Sequence, residues 1–367
     1  MRKIPFFDYP ALFARDETQY LATLREVLRS GFYIMGPELA EFESALANYL
    51  GVKHVIGVAD GTMALLIGLR AAGIQPGDEV LVSGHTFVAS AAAIHHCGAT
   101  PVPVDCGPDH LISGDAVAAA ITPRTRGIMP VQLNGRTTNM DRINEVVAEH
   151  DLIMVEDSCQ ALGSSYAGRF AGTFGKAGAF SFYPSKTLGC FGDGGAMCTD
   201  DDAVAEAARS LRDHGRGNDG DVARFGYNAR LDNLHAAILN TKLANYDNEI
   251  ERRRALASIY QARLASIDAL RLPPAPDADS RHFDIYQNYE VEADDRDGLK
   301  AFLAEQGVGT ILQWGGQMLN DLSAVGKDVK LPTLDEMAKR FLMLPMNTAL
   351  ADEDVHYVCD QIERFYG

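Results

Sequence analysis

One lysine of this chain lies where covalent chemistry is plausible. Lys186 is the only cation in the stretch 179–196, AFSFYPSKTLGCFGDGGA, which is rich in glycine and small residues. The flanking residues 179–182 and 194–199 are predicted to form two short buried strands, so Lys186 should lie on the turn between them. Burial on such a turn would lower the pKa of the amine and make it a nucleophile. A solvated loop lysine is the ordinary alternative, because lysine is rarely buried.

A carboxylate and an aromatic ring follow two other predicted strands. Asp157 comes just after the strand 152–155, with Gln160 close behind it, and Phe87 follows another short apolar strand. In parallel α/β sheets, ligands bind beyond the carboxyl ends of the strands, so these side chains are expected to meet at one edge. Taken singly, Asp157 is as compatible with a helix cap, and Phe87 with core packing.

The pair Gly61-Thr62 is predicted to open a helix. Unpaired amides and the helix dipole make such a terminus a binding site for an anion. The hydroxyl groups of Thr62 and Ser181 would add two further donors. A simple helix cap, which is common at such positions, is the alternative for Gly61-Thr62.

The elements that must position these groups alternate along the chain. Short apolar strands are predicted at 55–59, 80–83, 101–104, 128–131 and 152–155, and helices at 37–46, 61–72, 86–95, 115–121 and 140–149. This alternation predicts a parallel sheet covered by helices on both faces. A helical stretch is expected over 231–264, a proline-rich linker near 272–276, and a smaller α+β region beyond it.

Composition narrows the classes of partner. The 367 residues carry a formal net charge of −17, which argues against nucleic acid as a partner. No apolar run is long enough to cross a membrane, and the first residues lack the apolar core of a signal peptide. The 6 cysteines include no C-x-x-C pair, which argues against a zinc site or a disulfide framework. A cytoplasmic protein is therefore expected.

Together these residues describe one kind of ligand. It is a flat, electron-poor heterocycle with a phosphate arm, a ring nitrogen that faces a carboxylate, and a carbonyl that condenses with a lysine. Pyridoxal 5′-phosphate (PLP) has these features.

The order and spacing of several segments resemble the DegT/StrS-type nucleotide-sugar aminotransferases, which are PLP enzymes of fold type I. The segments are VADGTMALLIGL, SGHTFVASAAAI, IMPVQLNG, VEDSCQALGSSY, AFSFYPSKTLGCFGDGGA and GYNARLDNLHAAIL. The resemblance implies an α/β fold with a large PLP-binding domain over 1–245, which has a mostly parallel seven-stranded sheet and an N-terminal arm over 1–36. A smaller C-terminal α+β domain over 246–367 would follow.

The resemblance also implies a set of cofactor-binding residues: Gly61, Thr62, Phe87, Asp157, Gln160, Ser181, Lys186 and Asn228. Lys186 and Asp157 would be catalytic, Lys186 by binding the cofactor aldehyde and Asp157 by keeping the ring nitrogen protonated. Gln160 would lie beside the ring hydroxyl, and Phe87 would stack on the ring. Asn228 would reach the phosphate bound by a neighbouring subunit, which implies a homodimer with shared active sites.

The implied activity is transfer of an amino group from L-glutamate to a nucleotide-linked keto sugar, with pyridoxamine 5′-phosphate as the amino-carrying form. The sequence LGCFGDGGA favours a 3-keto sugar, because relatives that aminate 4-keto sugars tend to carry Glu-Gly-Gly. A 4-keto sugar or a keto-inositol remains an alternative. A deoxysugar dehydratase would have histidine in place of Lys186, and the intact residue set argues against a non-catalytic regulator.

Three further residues have open assignments. Arg230 is a candidate for binding a carboxylate or diphosphate, or else forms an ion pair at the dimer interface. Trp314, the only tryptophan, either contacts the sugar or base or serves as a packing residue. We interpret His85 as a loop histidine whose hydrogen bonds are satisfied.

Overall fold

The computed structural model describes residues 2–217, 219–326 and 329–367. The helices are α1 Tyr9–Ser30, α2 Pro37–Leu50, α3 Gly61–Ala72, α4 Val88–His96, α5 Gly114–Ala119, α6 Met140–Glu149, α7 Asp202–Arg212, α8 Asn233–Leu243, α9 Tyr246–Leu264, α10 Arg296–Glu305, α11 Pro332–Met337 and α12 Asp352–Tyr366. The strands are β1 His54–Val58, β2 Glu79–Ser83, β3 Thr100–Val104, β4 Thr125–Met129, β5 Ile153–Asp157, β6 Ser165–Tyr166, β7 Arg169–Phe170, β8 Ala177–Ser181, β9 Gly195–Thr199, β10 Leu270–Arg271, β11 His282–Phe283, β12 Tyr289–Ala293 and β13 Phe341–Leu344. No helix among the described residues combines the length and apolarity that a bilayer crossing requires.

A 7-stranded sheet in the order β1-β9-β8-β5-β4-β2-β3 forms the centre of the molecule. Its strands are parallel except that β9 runs antiparallel to both of its neighbours, β1 and β8. Alternate side chains of β2 enter different cores: Val80 and Val82 pack with α3 and α4, whereas Leu81 packs with α5 and α6. Both faces of the sheet are covered and most of its strand residues are buried, which confirms the predicted sheet.

The predicted site residues lie along one edge of this sheet. Asp157 is the last residue of β5 and Ser181 the last of β8, and these two strands are parallel neighbours. The carboxyl ends of parallel neighbours emerge on the same side, so the two side chains are brought together without any special loop.

A second, smaller sheet of 3 strands has the order β10-β12-β13 and is antiparallel. Residues of α9, α10 and α12 form a separate hydrophobic core with it, which Ile4 from the chain's first residues joins. The C-terminal part is thus an α+β unit, hereafter the second unit, as predicted. The boundary at 245/246 stays a prediction.

Three features differ from the sequence-based expectations. The helix expected over 231–264 is two helices, α8 and α9, separated at 244–245. The N-terminal arm contains α1, a helix of 22 residues that was not expected, in which Tyr20 and Val27 are the buried residues. The predicted linker at 272–276 is wrong, since it follows β10 inside the second unit and its Pro273 carbonyl accepts a hydrogen bond from Gln261 of α9.

A cluster of histidines and glutamates joins the two units. His110, on the loop after β3, contacts Glu290 and Glu292 of β12 at 3.3 Å each. Burial by itself would lower the pKa of His110, but the hydrogen bonds to the two carboxylates outweigh it and raise the pKa to about 9. Glu292 also pairs with Arg271 and Arg340. The protonated His110 therefore holds the second unit against the sheet.

His85 lies deeper in the same cluster. Its ring stacks on Phe341, with centroids 4.7 Å apart, and its Nε2 is 3.7 Å from Glu290. Neither ring nitrogen has a hydrogen-bond partner among the described residues, so the predicted satisfied histidine is wrong. Burial lowers the pKa of His85 to about 4, because the cost of removing a charged imidazole from water outweighs the opposing charge of Glu290. His85 is neutral while His110 is charged.

The contacts of His110 predict a pH dependence of stability. The pKa of His110 is higher in the folded protein than its ordinary value of 6.5, so the stabilisation is complete below about pH 6.5 and is lost as the pH rises through about 9. We expect the melting temperature of the unsubstituted protein to fall by about 2 °C or more over this range relative to His110→Gln. Thermal melts from pH 6 to 10 measure the difference.

The matched control is His96→Gln, because His96 is exposed at the end of α4. That variant should follow the unsubstituted protein at every pH. Parallel curves for His110→Gln and the unsubstituted protein would show that His110 carries no such linkage.

Candidate active site

A cavity of about 550 Å³ lies at the carboxyl edge of the large sheet, where the second unit covers it. The residues of the predicted site that line it are Gly61, Thr62, Phe87, Asp157, Gln160, Ser181, Lys186 and Trp314. Gln287, Asn288 and Gln313 contribute polar groups from the second unit. Lys186 is the only cation among the described residues of the lining.

Lys186 lies on a compact turn between β8 and β9. Its backbone amide donates to the carbonyl of Tyr183 at 2.8 Å, and the turn is closed by a bond from the Cys190 amide to the Phe182 carbonyl at 2.8 Å. Burial lowers the pKa of the Lys186 amine, although the charge of Asp157 acts in the opposite direction. The lowered pKa increases the fraction of free amine, which is the nucleophilic form.

The carboxylate of Asp157 is held by a short chain of hydroxyl groups. Its Oδ2 accepts a hydrogen bond from Ser90 at 2.7 Å, and its Oδ1 accepts one from the amide of Cys159 at 3.2 Å. The Ser90 oxygen is also 2.7 Å from the hydroxyl of Thr86. Since Ser90 gives its only hydrogen to the carboxylate, Thr86 must be the donor in that second bond.

Ser90 was not among the predicted site residues. It lies in the first turn of α4 and is fully buried. Hydrogen bonds to a charged group contribute about 1.5–3 kcal/mol, so Ser90 has a substantial share in fixing the carboxylate. Its spacing of four residues from Thr86 in the predicted helix 86–95 was the available signal, but sequence alone does not show which strand end these hydroxyl groups meet.

Gly61 brings the first turn of α3 close to Ser181. A Cβ atom on Gly61 would lie 2.8 Å from the Cβ of Ser181 and 3.0 Å from the sulfur of Cys159. Glycine at this position therefore allows the helix amides to approach the two hydroxyl groups of Thr62 and Ser181. Asp60 caps the helix through the amide of Met63 at 2.8 Å, which turns its carboxylate toward the helix.

These groups fit PLP by their chemistry. A phosphate suits the helix terminus and its hydroxyl groups, because the terminal amides have no acceptor within the helix. The lowered pKa of Lys186 suits a covalent bond to an aldehyde, and the Asp157 carboxylate suits a protonated ring nitrogen. Phe87, a residue that is 51% exposed at the start of α4, offers a flat surface for stacking.

Gln160 belongs to a polar network shared by both units. Its Oε1 accepts hydrogen bonds from the amide of Asn134 at 2.9 Å and from Asn288 at 3.2 Å. Gln313 of the second unit lies 3.5 Å from the same oxygen. Because the oxygen is engaged, the Nε2 group of Gln160 is the part that can donate to a ligand.

Trp314 both lines the cavity and packs. It has φ 50°, and Gly315 and Gly316 follow with φ 72° and 80°, so three consecutive residues adopt the left-handed conformation. The indole lies 5.4 Å from His85 and 6.4 Å from Phe87, measured between ring centroids. The two interpretations of Trp314 are therefore compatible with each other.

Asn228 and Arg230, both of them described by the structure, do not line this cavity. Arg230 pairs with Asp213 at 3.0 Å and donates to the side-chain oxygen of Asn228 at 2.6 Å. The ion pair of Arg230 thus lies within one chain. The cavity of a single chain therefore assigns no role to Asn228 or Arg230.

The sequence was compared with known proteins. The sequence profile of the DegT/DnrJ/EryC1/StrS aminotransferase family matches residues 14–363. Over 99% of its length the chain is 38% identical to dTDP-3-amino-3,4,6-trideoxy-alpha-D-glucose transaminase of Streptomyces venezuelae, of which it covers 96%. It is 36% identical over 97% of its length to UDP-2-acetamido-2-deoxy-3-oxo-D-glucuronate aminotransferase of Pseudomonas aeruginosa, of which it covers 98%.

The structure was also compared with solved structures, and two of them agree with the family match. The crystal structure of DesV from S. venezuelae superposes with a TM-score of 0.95 at 37% identity, over 100% of this chain and 99% of that one. NtdA from Bacillus subtilis with bound PMP superposes with a TM-score of 0.92 at 29% identity, over 100% of this chain and 86% of that one. The chain belongs to the DegT/DnrJ/EryC1/StrS aminotransferase family and is a PLP-dependent aminotransferase of fold type I.

Proposed function

We propose that this enzyme transfers an amino group from L-glutamate to the keto group at carbon 3 of a nucleotide-linked sugar. The observation that carries the proposal is one cavity that joins an amine of lowered pKa, a fixed carboxylate and an anion-binding helix terminus. The names of both relatives described above refer to sugars with an amino or oxo group at position 3.

Lys186 and Asp157 have the catalytic roles in this proposal. The bound PLP ring supplies an electron sink for the bond broken at the donor's Cα. Lys186 would hold the cofactor aldehyde through its Nζ, and its free amine would be the base that takes the donor's Cα proton and returns it. Asp157 holds the proton on the ring nitrogen, and Ser90 keeps the carboxylate oriented toward it.

The other cofactor residues position the ring. Gly61, Thr62 and Ser181 bind the phosphate, Phe87 packs on the ring face, and Gln160 donates to the ring hydroxyl through Nε2. A Cβ atom on Gly61 would lie 2.8 Å from the Cβ of Ser181, so this cradle has no room for a larger residue at position 61.

The sugar is proposed to lie between Phe87 and the turn that carries Trp314, within the same cavity. Asp193, from the Asp-Gly-Gly sequence that favours a 3-keto sugar, also lines this space. Trp314 and Gln313 offer an apolar face and an amide, which suit a sugar ring with hydroxyl groups. A 4-keto sugar or a keto-inositol remains the alternative substrate.

A two-fold homodimer is proposed to complete the site. Asn228 and Arg230 lie outside this chain's own cavity, so they are assigned to the phosphate and the substrate of the partner's site. An exposed apolar segment, Phe32 to Met35, and Phe225, which is 92% exposed, are suited to burial against a second copy. Two-fold dimers are the commonest closed assemblies.

The catalytic assignments predict distinct effects of two substitutions. Lys186→Ala should lower turnover by about 10³-fold or more, because it removes both the covalent attachment and the general base. Asp157→Ala should retain bound PLP but slow its reaction with L-glutamate to a similar degree. Stopped-flow absorbance after mixing with L-glutamate, together with amino-sugar formation, measures both.

Glu251→Gln is the control, since it changes an exposed carboxylate of α9 that does not line the cavity. It should react with L-glutamate at a normal rate. Transamination by Lys186→Ala would remove Lys186 from the catalytic role, and a normal rate for Asp157→Ala would do the same for Asp157.

The substrate assignment predicts the outcome of a panel. Nucleotide-linked sugars that differ only in having the keto group at carbon 3 or carbon 4 are supplied with L-glutamate, with a keto-inositol as a third arm. Aminated product should form from the 3-keto sugar at least about tenfold faster, the scale at which a misplaced reacting group is rejected. Faster amination of the 4-keto sugar or of the keto-inositol would contradict the assignment.

A further inference from the structure

Gln287 holds the peptide groups on both sides of Lys186. Its Oε1 accepts hydrogen bonds from the amide of Thr187 at 2.7 Å and from the Thr187 hydroxyl at 2.6 Å. Its Nε2 donates to the carbonyl of Ser185 at 2.8 Å. The single side chain therefore uses its acceptor on one side of Lys186 and its donor on the other.

Gln287 itself belongs to the second unit and is rigidly held there. It precedes β12 and is only 5% exposed. Arg253 of α9 donates through one nitrogen to the carbonyls of Tyr286, Gln287 and Met346, at 3.1 Å each. A buried guanidinium that bonds main-chain carbonyls fixes the backbone from which the Gln287 side chain extends.

Apart from those to Gln287, few hydrogen bonds hold the backbone of the turn next to Lys186. The amide of Lys186 bonds within the turn, to Tyr183. Among the described residues, however, the amide of Thr187 and the carbonyl of Ser185 have Gln287 as their hydrogen-bond partner. A lysine side chain has several freely rotating bonds, so the direction of its amine depends on how firmly the backbone beneath it is fixed.

We propose that Gln287 is a positioning residue for Lys186, through which the second unit sets the place of the catalytic amine. This inference rests on the proposed catalytic role of Lys186. Loss of the Gln287 hydrogen bonds leaves the Lys186 amine in the cavity but allows it a wider range of positions. A displacement of about 1 Å is enough to slow a reaction by as much as 10²-fold.

The test compares Gln287→Leu with Gln361→Leu. Gln361, on α12, is likewise 5% exposed and contacts Arg364, so its replacement controls for the loss of a buried amide. Apoenzyme is mixed with PLP, and the covalent adduct on Lys186 is fixed with borohydride and followed by mass spectrometry. Melting temperatures and kcat and KM for L-glutamate are measured on the same preparations.

For Gln287→Leu we expect adduct formation and kcat to fall on the order of tenfold, with KM for L-glutamate little changed. The melting temperature should match that of Gln361→Leu. An unchanged rate of adduct formation would overturn the proposal. Equal slowing in Gln361→Leu would also overturn it, because the effect would then be general destabilisation.

If Gln287→Leu does not fold, two substitutions of Thr187 test the proposal instead. Thr187→Ser keeps the hydroxyl that donates to Gln287, whereas Thr187→Val removes it. Thr187→Val should slow adduct formation and Thr187→Ser should not, and identical rates would overturn the proposal. A PLP adduct that still forms in Lys186→Ala at the normal rate would instead show that the proposed role of Lys186 has failed.

Discussion

Burial of one amine next to one carboxylate is the constraint on which this site depends. Apolar surroundings lower the pKa of Lys186, whereas the negative Asp157 favours its charged form. Neither residue can be placed by its own side chain alone, because a long flexible chain and a buried charge both need support from neighbours. The hydroxyl chain through Ser90 supports the acid, and the closed turn between β8 and β9 supports the amine.

The site residues at the carboxyl edge of the large sheet were largely predictable, because the order of strands and helices in the sequence places them there. Asp157 and Ser181 end parallel strands, and a strand end can be recognised from an apolar run and the polar residue that follows it. The turn with Lys186 was predictable for the same reason. The glycine at position 61 could be noted as a helix start, although its close approach to Ser181 needed the structure.

The contacts that could not be predicted from the sequence join residues that are far apart in the chain. Gln287 meets Thr187 from 100 positions away, and no local pattern marks such a contact. Likewise, His110 hydrogen-bonds Glu290 and Glu292 whereas His85 has no hydrogen-bond partner among the described residues, and no local pattern in the sequence distinguishes the two. The N-terminal helix was not predicted, although Tyr20, Leu24 and Val27 recur at helical spacing. The charged residues Asp16 and Glu17 interrupt the apolar pattern before them.

Two walls of the cavity differ in construction. The proposed cofactor residues form one wall, and the turn with Trp314 forms the other. The cofactor wall is built from strand ends and main chain, where even one added carbon at position 61 has no room. The Trp314 wall is a short left-handed turn whose shape depends on two glycines. Under the proposed function, exchange of Trp314, Gly315 and Gly316 would alter the acceptor that is chosen. Gln313 would have to stay, because it lies 3.5 Å from the Gln160 oxygen. The residues for nitrogen transfer would then keep their contacts, so that chemistry and selectivity can diverge separately.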